Sequence, residues 1–108
     1  MGAKIVIAPG VEQQLFDLYD LLYKNGYFSY KQNALAYVNE IRKFIKEIPY
    51  LPRQPIKDKR FGQYFRKYAP NRQTTWYIGF EVNNDKYLIT YITNNHHEDY
   101  PRFIQAIR

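Results

Sequence analysis

The sequence predicts an α+β domain made of an N-terminal strand, a helical hairpin, a three-stranded antiparallel β-meander and a short C-terminal helix. First, apolar residues recur at steps of three and four along the first half of the chain, as they do on one face of a helix. Second, Pro49, Pro52 and Pro55 form a break at which a helix cannot continue. Third, the apolar period falls to two after this break, which indicates strands. We therefore expect the hairpin to cover one face of an antiparallel sheet.

The first half begins with a strand. Lys4 to Ala8 is a short run with β-branched residues, and Pro9-Gly10 ends it. A helix follows, and Asn25-Gly26 is predicted to end it because both residues accept the left-handed conformation of a helix C-cap. Its buried face is predicted from apolar residues at helical spacing: Val11, Leu15, Leu18 and Leu22.

A second, longer helix is predicted after Ser29, whose hydroxyl can cap its N-terminus. Its apolar residues also lie at steps of four and three: Ala34, Val38, Ile41, Ile45 and Ile48. Two helices joined by a short turn that contains glycine form a helical hairpin. The proline-rich segment after the hairpin predicts a rigid, extended connector.

The second half predicts three antiparallel strands and a final helix. The strands are expected at Gln63 to Tyr68, Thr74 to Val82 and Tyr87 to Thr93, where β-branched and aromatic residues are frequent. Residues typical of tight turns separate them: Ala69-Pro70-Asn71 and Asn83-Asn84-Asp85. The final helix is expected to start at Asp99 or Tyr100, with three apolar residues facing inward: Phe103, Ile104 and Ile107.

Length and composition limit the class of protein. A chain of 108 residues fits a single domain spanning 1–108. The absence of cysteine excludes a disulfide scaffold, a thiolate zinc site and a cysteine nucleophile. No apolar run approaches the ~18 residues that span a bilayer, and Ile5 to Ala8 is shorter than the apolar core of a signal peptide. We therefore expect a cytoplasmic protein without a membrane partner.

The positive charge is concentrated in one segment. The whole chain has a net charge of +6. The segment from Arg53 to Arg72 contains seven basic residues and one acidic residue, so it carries +6 by itself. Such a patch favours a polyanion or an acidic protein partner, although a solvated basic loop without a partner is the alternative. Four aromatic residues lie between these cations, a combination that also suits stacking on nucleic-acid bases.

Several stretches together resemble a known family. They are Phe61-Gly62-x-Tyr64-x-Arg66, Trp76 to Val82, Ile89 to Ile92, and Asn94 to Tyr100. In this order and spacing, with the helical hairpin before them, they resemble the RelE/ParE superfamily of toxins from type II bacterial toxin–antitoxin modules, also called plasmid stabilisation proteins. The resemblance implies a RelE/ParE-like fold and a small cytoplasmic toxin that a cognate acidic antitoxin neutralises.

Members of this family act in two ways. RelE-like toxins cut messenger RNA in the ribosomal A site, whereas ParE-like toxins inhibit DNA gyrase. RelE-like nucleases usually begin their central strand with Tyr-Arg, and this chain has Trp76-Tyr77 there. The missing guanidinium favours a ParE-like toxin that blocks gyrase or another essential target. The alternatives are a metal-independent, ribosome-dependent mRNA endonuclease and a non-toxic nucleic-acid-binding module.

If the protein cleaves RNA, it needs cations to stabilise the charge on the phosphorus centre. The resemblance places Arg66 at the family's basic position, and Arg72 can replace the missing strand arginine. Lys67 follows Arg66, but successive strand residues face opposite sides, so only one of them can reach a shared site. The alternative role of Arg66 is a sheet-surface cation paired with a carboxylate. Candidates for binding nucleic acid or a partner are Lys57, Lys59, Arg60, Tyr64 and Lys67.

Cleavage of RNA also needs groups that move protons. His96 and His97 are the only histidines, and an imidazole titrates near neutral pH, so both are catalytic candidates. The alternative is a pair of exposed loop histidines beside Glu98 and Asp99. These four residues are sequence neighbours without the spacing that brings two ligands together on a helix, so we expect no metal site. No cofactor is expected, because the phosphate-binding glycine motifs are absent.

Overall fold

The described part of the chain forms a five-stranded sheet with helices on both faces. A computed structural model describes residues 3–24 and 31–107. Its helices are α1 (Pro9–Lys24), α2 (Lys31–Glu47) and α3 (Tyr100–Ile107). Its strands are β1 (Lys4–Ile7), β2 (Gln54–Pro55), β3 (Tyr64–Tyr68), β4 (Trp76–Asn83) and β5 (Lys86–Asn94). Two short 3₁₀ turns, Ile48–Tyr50 and Lys59–Phe61, flank β2 in the connector.

The strand order is β1-β5-β4-β3-β2, and the sheet is mixed. The predicted meander is present, since β4 pairs antiparallel with both β3 and β5. The sheet is larger than predicted for two reasons. The N-terminal strand joins it parallel to β5, with Ile5 opposite Tyr87. The connector contributes β2, whose Gln54 lies opposite Phe65 of β3.

The helical hairpin covers one face of the sheet, as predicted. The residues at helical spacing form its core, and Leu15, Val38 and Ile41 are at most 3% exposed. They pack on sheet residues such as Ile78. Arg42 of α2 holds the two helices together through two hydrogen bonds to Glu12 of α1, of 2.7 and 3.2 Å. The predicted C-cap at Asn25-Gly26 and N-cap at Ser29 lie outside the described residues.

The terminal helix covers the opposite face. Phe103 of α3 is fully buried, and Ala106 is 4% exposed. Ile104 and Ile107 are half-buried against the same cluster, so the predicted inward face of this helix is confirmed and Ala106 completes it. The result is three layers, in which each face of β4 packs against a different helical element. None of the described helices has the length and apolar character needed to cross a membrane.

Candidate functional site

The basic segment runs along the β2–β3 side of the sheet and onto the face that α3 covers. The amide of Asp58 donates to the carbonyl of Ala106 at 3.0 Å, which ties the segment to the C-terminal turn of α3. The amide of Gln63 donates to the carbonyl of Phe80 at 3.2 Å, which returns the chain to the sheet. Between these two points the turn Lys59–Phe61 lies on β4 beside Gly79. Side chains from the connector and from α3 therefore share one surface.

Arg60 is bound within the fold. Its Nε and Nη2 donate to the Asp58 carboxylate at 3.0 and 2.6 Å, and its backbone amide donates to the same group at 3.1 Å. These hydrogen bonds hold the pKa of Asp58 at about 2 and raise the pKa of Arg60. Asp58 therefore stays ionised and offsets the charge of Arg60. This candidate cation is less available to an external anion than its sequence position indicates.

A cationic cleft of about 470 Å³ lies between the connector and α3. Lys57 and Arg60 line it from the connector, and Arg102 and Gln105 line it from α3. Sequence reasoning named the first two residues and missed the last two. Arg102 and Gln105 are three residues apart and exposed on the helix side away from buried Phe103, so the helical spacing contained the information. Asp58 lines the cleft as well and offsets Arg60, so the cleft offers the cations of Lys57 and Arg102 and the amide of Gln105 to a phosphate or carboxylate group.

Arg66 and Lys67 face opposite sides of the sheet, as alternation along a strand predicts. Arg66 lies opposite Ile78, which packs against the hairpin, and Lys67 lies opposite Tyr77, which packs against α3. Within the described residues, Arg66 belongs to no ion pair, and its buried Nε has no hydrogen-bond partner. The proposed pairing of Arg66 with a carboxylate is therefore absent from this part of the chain. The small cavity beside Arg66, of about 130 Å³, is also lined by Gln54, Phe65 and Lys67, so Arg66 and Lys67 both border it at the sheet edge although they lie on opposite faces.

Tyr64 is a packing residue as well as a candidate contact. Its ring lies 6.0 Å from that of Phe80, and the guanidinium carbon of Arg53 lies 4.5 Å from the ring centroid. This distance is typical of a cation–π contact. The guanidinium of Arg53 therefore already covers one face of the Tyr64 ring. Lys59 and Gln63 lie beside it along a shallow groove that reaches Glu81.

His96 connects two loops. Its Nε2 lies 2.8 Å from the carbonyl oxygen of Gln73 and 3.2 Å from Oγ1 of Thr74. A carbonyl can only accept, so the proton of the neutral ring must be on Nε2. Asn95 makes further bonds to the same loop through Thr75 and Gln73. Thus His96 holds the β3–β4 loop, which carries Arg72, against the end of β5.

His97 occupies a different environment. Its Nδ1 accepts a hydrogen bond from the amide of Asp99 at 3.0 Å, and it lies 4.0 Å from the Asp99 carboxylate. Its ring lines an apolar groove of about 350 Å³ beside α1, with Leu18 and Trp76. The two histidines lie in a turn rather than in an extended segment, both are exposed, and they contact different parts of the fold. Both have ring nitrogens bonded within the fold.

Two of the four candidate catalytic residues line cavities, and these two cavities are different. Arg66 is in the small cavity beside β2, His97 is in the groove beside α1, and His96 is bonded to the loop of Arg72. The cationic cleft contains none of these four residues. Within the part of the chain that the structure describes, no three potential ligands are grouped to hold a metal ion. The described geometry thus offers binding surfaces more clearly than a catalytic centre.

Tyrosine hydroxyls under α3 form a further group. Burial and a hydrogen bond with Tyr100 raise the pKa of Tyr77 to about 12. Burial is also the main cause of the raised pKa of Tyr91, whose ring stacks on Phe103 with 5.3 Å between centroids. Both hydroxyls therefore stay protonated at neutral pH. Tyr77 is paired with Tyr100, whereas the buried hydroxyl of Tyr91 has no hydrogen-bond partner within the described residues, so both rings serve as packing groups rather than as bases.

Comparisons with known proteins assign neither a family nor a function to the chain. No family model matches the chain, and neither curated proteins nor solved structures give a match.

Proposed function

We propose that this protein is the toxin component of a bacterial toxin–antitoxin system and that it inhibits growth by binding an essential protein such as DNA gyrase. The resemblance to the RelE/ParE superfamily supports the proposal through the order of elements. The α+β architecture with a helical hairpin on one face is compatible with it. Because a fold does not define a function, the choice between modes of action depends on the candidate residues.

The observation that favours action by binding over catalysis is that Arg66, His96 and His97 lie in three different environments. General acid–base chemistry needs its groups within hydrogen-bond reach of one reacting atom. In this fold the ring nitrogens of His96 and His97 bond to Gln73 and to Asp99, respectively. Arg66 lines a cavity that includes neither histidine. This arrangement supports a protein that acts by binding to its target rather than by catalysing a reaction.

The partner that neutralises such a toxin should be acidic. Within the described residues, the cations Lys57, Lys67 and Arg72 belong to no ion pair, so their charge is open to a partner. Complementary carboxylates on an antitoxin would increase the association rate and fix the orientation of binding. Arg60 contributes less because Asp58 already pairs with it.

Controlled expression in a bacterial host, followed by a supercoiling assay with purified gyrase, tests the proposal. We expect growth to stop on induction and supercoiling to be inhibited at stoichiometric protein. In a binding assay with the cognate acidic antitoxin, the double variant Lys67→Glu/Arg72→Glu should lower the association rate or the affinity at low salt. The matched control Lys4→Glu/Lys86→Glu makes the same change in net charge at the opposite side of the sheet, where these two lysines are register partners. Normal growth on induction of the folded wild-type protein would overturn the toxin proposal.

The cationic cleft favours one alternative, ribosome-dependent cleavage of messenger RNA. Lys57 and Arg102 there can contact phosphates. Primer extension on programmed ribosomes tests this alternative: cuts at the A-site codon that disappear in Arg66→Ala or His96→Ala would establish the nuclease. Binding of RNA without cuts and without growth arrest would indicate a nucleic-acid-binding module.

A further inference from the structure

The two edges of the sheet differ in how well they are protected. At one edge, β2 has only two residues and contains Pro55, which has no amide hydrogen to donate. At the other edge, β1 has four residues without proline, and among the described residues it pairs only with β5. An unprotected edge strand presents backbone groups that a further strand can bind. The β1 edge is therefore the open one.

The register shows which backbone groups are open. The amide of Lys4 donates to the carbonyl of Asp85 at 2.8 Å, and the amide of Ala8 donates to the carbonyl of Ile89 at 2.9 Å. The backbone amide and carbonyl groups of the even-numbered residues of β1 therefore point toward β5. Successive residues of a strand direct their amide and carbonyl groups to opposite sides. The amides and carbonyls of Ile5 and Ile7 therefore point away from the sheet.

A groove lies beside this edge. It has a volume of about 420 Å³ and is lined by Ile5 and Ile7 of β1 and by Ile45 of α2. Lys43 and Lys46 line it from α2 as well, and both side chains are exposed. Among the described residues neither lysine belongs to an ion pair, whereas the neighbouring Arg42 is paired with Glu12. The groove thus combines an apolar floor with two unneutralised cations.

The opposite face of the same edge is also apolar. Val6 is 43% exposed, and its register partner Leu88 is 37% exposed. A strand added here would cover apolar side chains on both faces of the sheet. The two lysines indicate that the added strand is acidic, because they attract carboxylates beside them and do not attract a neutral or basic segment.

We propose that the β1 edge binds an extended acidic segment of a partner protein as a sixth strand. Main-chain hydrogen bonds to Ile5 and Ile7 hold the segment, its apolar side chains enter the groove, and its carboxylates pair with Lys43 and Lys46. The site lies at the opposite edge of the sheet from the basic segment, so the proposal does not depend on the toxin function.

Hydrogen exchange followed by NMR tests the pairing directly. The probe is a short fluorescein-labelled peptide of valine and glutamate, added to the full chain. We expect the amides of Ile5 and Ile7 to become protected, while the amide of Val6, which points toward β5, changes little. A peptide with N-methyl groups on alternate residues cannot complete the ladder and should lose binding. Binding without protection at Ile5 and Ile7, or no binding of the unmodified peptide, overturns the proposal.

Charge variants test the choice of partner by fluorescence anisotropy. Lys43→Glu/Lys46→Glu should weaken binding about tenfold or more at low salt, since two attractions become repulsions. The comparison variant Lys67→Glu/Arg72→Glu makes the same change in net charge on the basic segment, at the other side of the sheet, and should weaken binding of this peptide at the β1 edge clearly less. Equal weakening by both variants would overturn the proposal in favour of non-specific attraction. Protection of Ile5 and Ile7 that rises with protein concentration alone would overturn it in favour of self-association.

Discussion

Gly79 is the position at which a single methyl group should disturb both the fold and the candidate binding surface. A Cβ there would lie 2.7 Å from the carbonyl oxygen of Phe61 and 3.2 Å from Cβ of Tyr91. Cβ atoms essentially never approach another atom as closely as 2.7 Å, and the nearest atom belongs to the backbone, so the turn Lys59–Phe61 has to move. Overpacking of this kind typically costs about 1–3 kcal/mol. The shift would also displace Arg60 and the cleft it lines.

Urea unfolding of Gly79→Ala measures this cost. Trp76 is the only tryptophan and is 7% exposed, so its fluorescence should report the loss of the core. We expect a lower midpoint with an unchanged slope. Each kcal/mol by which the free energy of unfolding decreases should also lower Tm by about 4–8 °C.

Gly10→Ala is the matched control. No atom lies within 4 Å of a Cβ built at Gly10, which is in the first turn of α1. Alanine there should change stability by no more than about 0.5 kcal/mol, and in the stabilising direction, because alanine favours the helix. Equal midpoints for the two variants would refute the argument that the turn is held against Gly79 by close packing.

Three further predictions concern single side chains. Phe103→Ala removes a fully buried ring that packs against Tyr91, so we expect a loss of about 3–5 kcal/mol in urea unfolding; a loss under 1 kcal/mol would contradict the role of α3 in the core. Tyr37→Phe removes the acceptor of the Trp76 indole hydrogen bond of 3.0 Å and should cost about 1–2 kcal/mol, with a shift in tryptophan emission. The pKa of Asp58, at about 2, is below its ordinary value of 3.8, so its contribution to stability is present above pH 3.8 and disappears as the pH falls through 2. Urea midpoints should therefore fall more in the wild type than in Asp58→Asn over this range, and parallel decreases would disprove the contribution.

The sequence predicted the separate elements well because their patterns are local. Helical spacing of apolar residues from Val11 onward identified both long helices, and an apolar period of two identified β3, β4 and β5. The prolines correctly ended α2, but they also concealed β2, since a two-residue strand has too little pattern to recognise. The position of β1 beside β5 depends on pairing between residues about 80 positions apart, as for Lys4 and Lys86, which no local pattern encodes.

For the candidate site residues, too, some properties followed from the local sequence and others from the tertiary structure. The sequence by itself determined the concentration of charge in the basic segment and the opposite directions of Arg66 and Lys67, because both follow from composition and strand geometry. Only the tertiary structure decided that Arg102 joins Lys57 in one cleft and that His96 bonds to Gln73 in a distant loop. It also left the β1 edge open beside a basic groove. These features depend on which distant segments meet when the core closes, and hydrophobic burial, which drives that closure, is non-directional and specifies no individual polar contact.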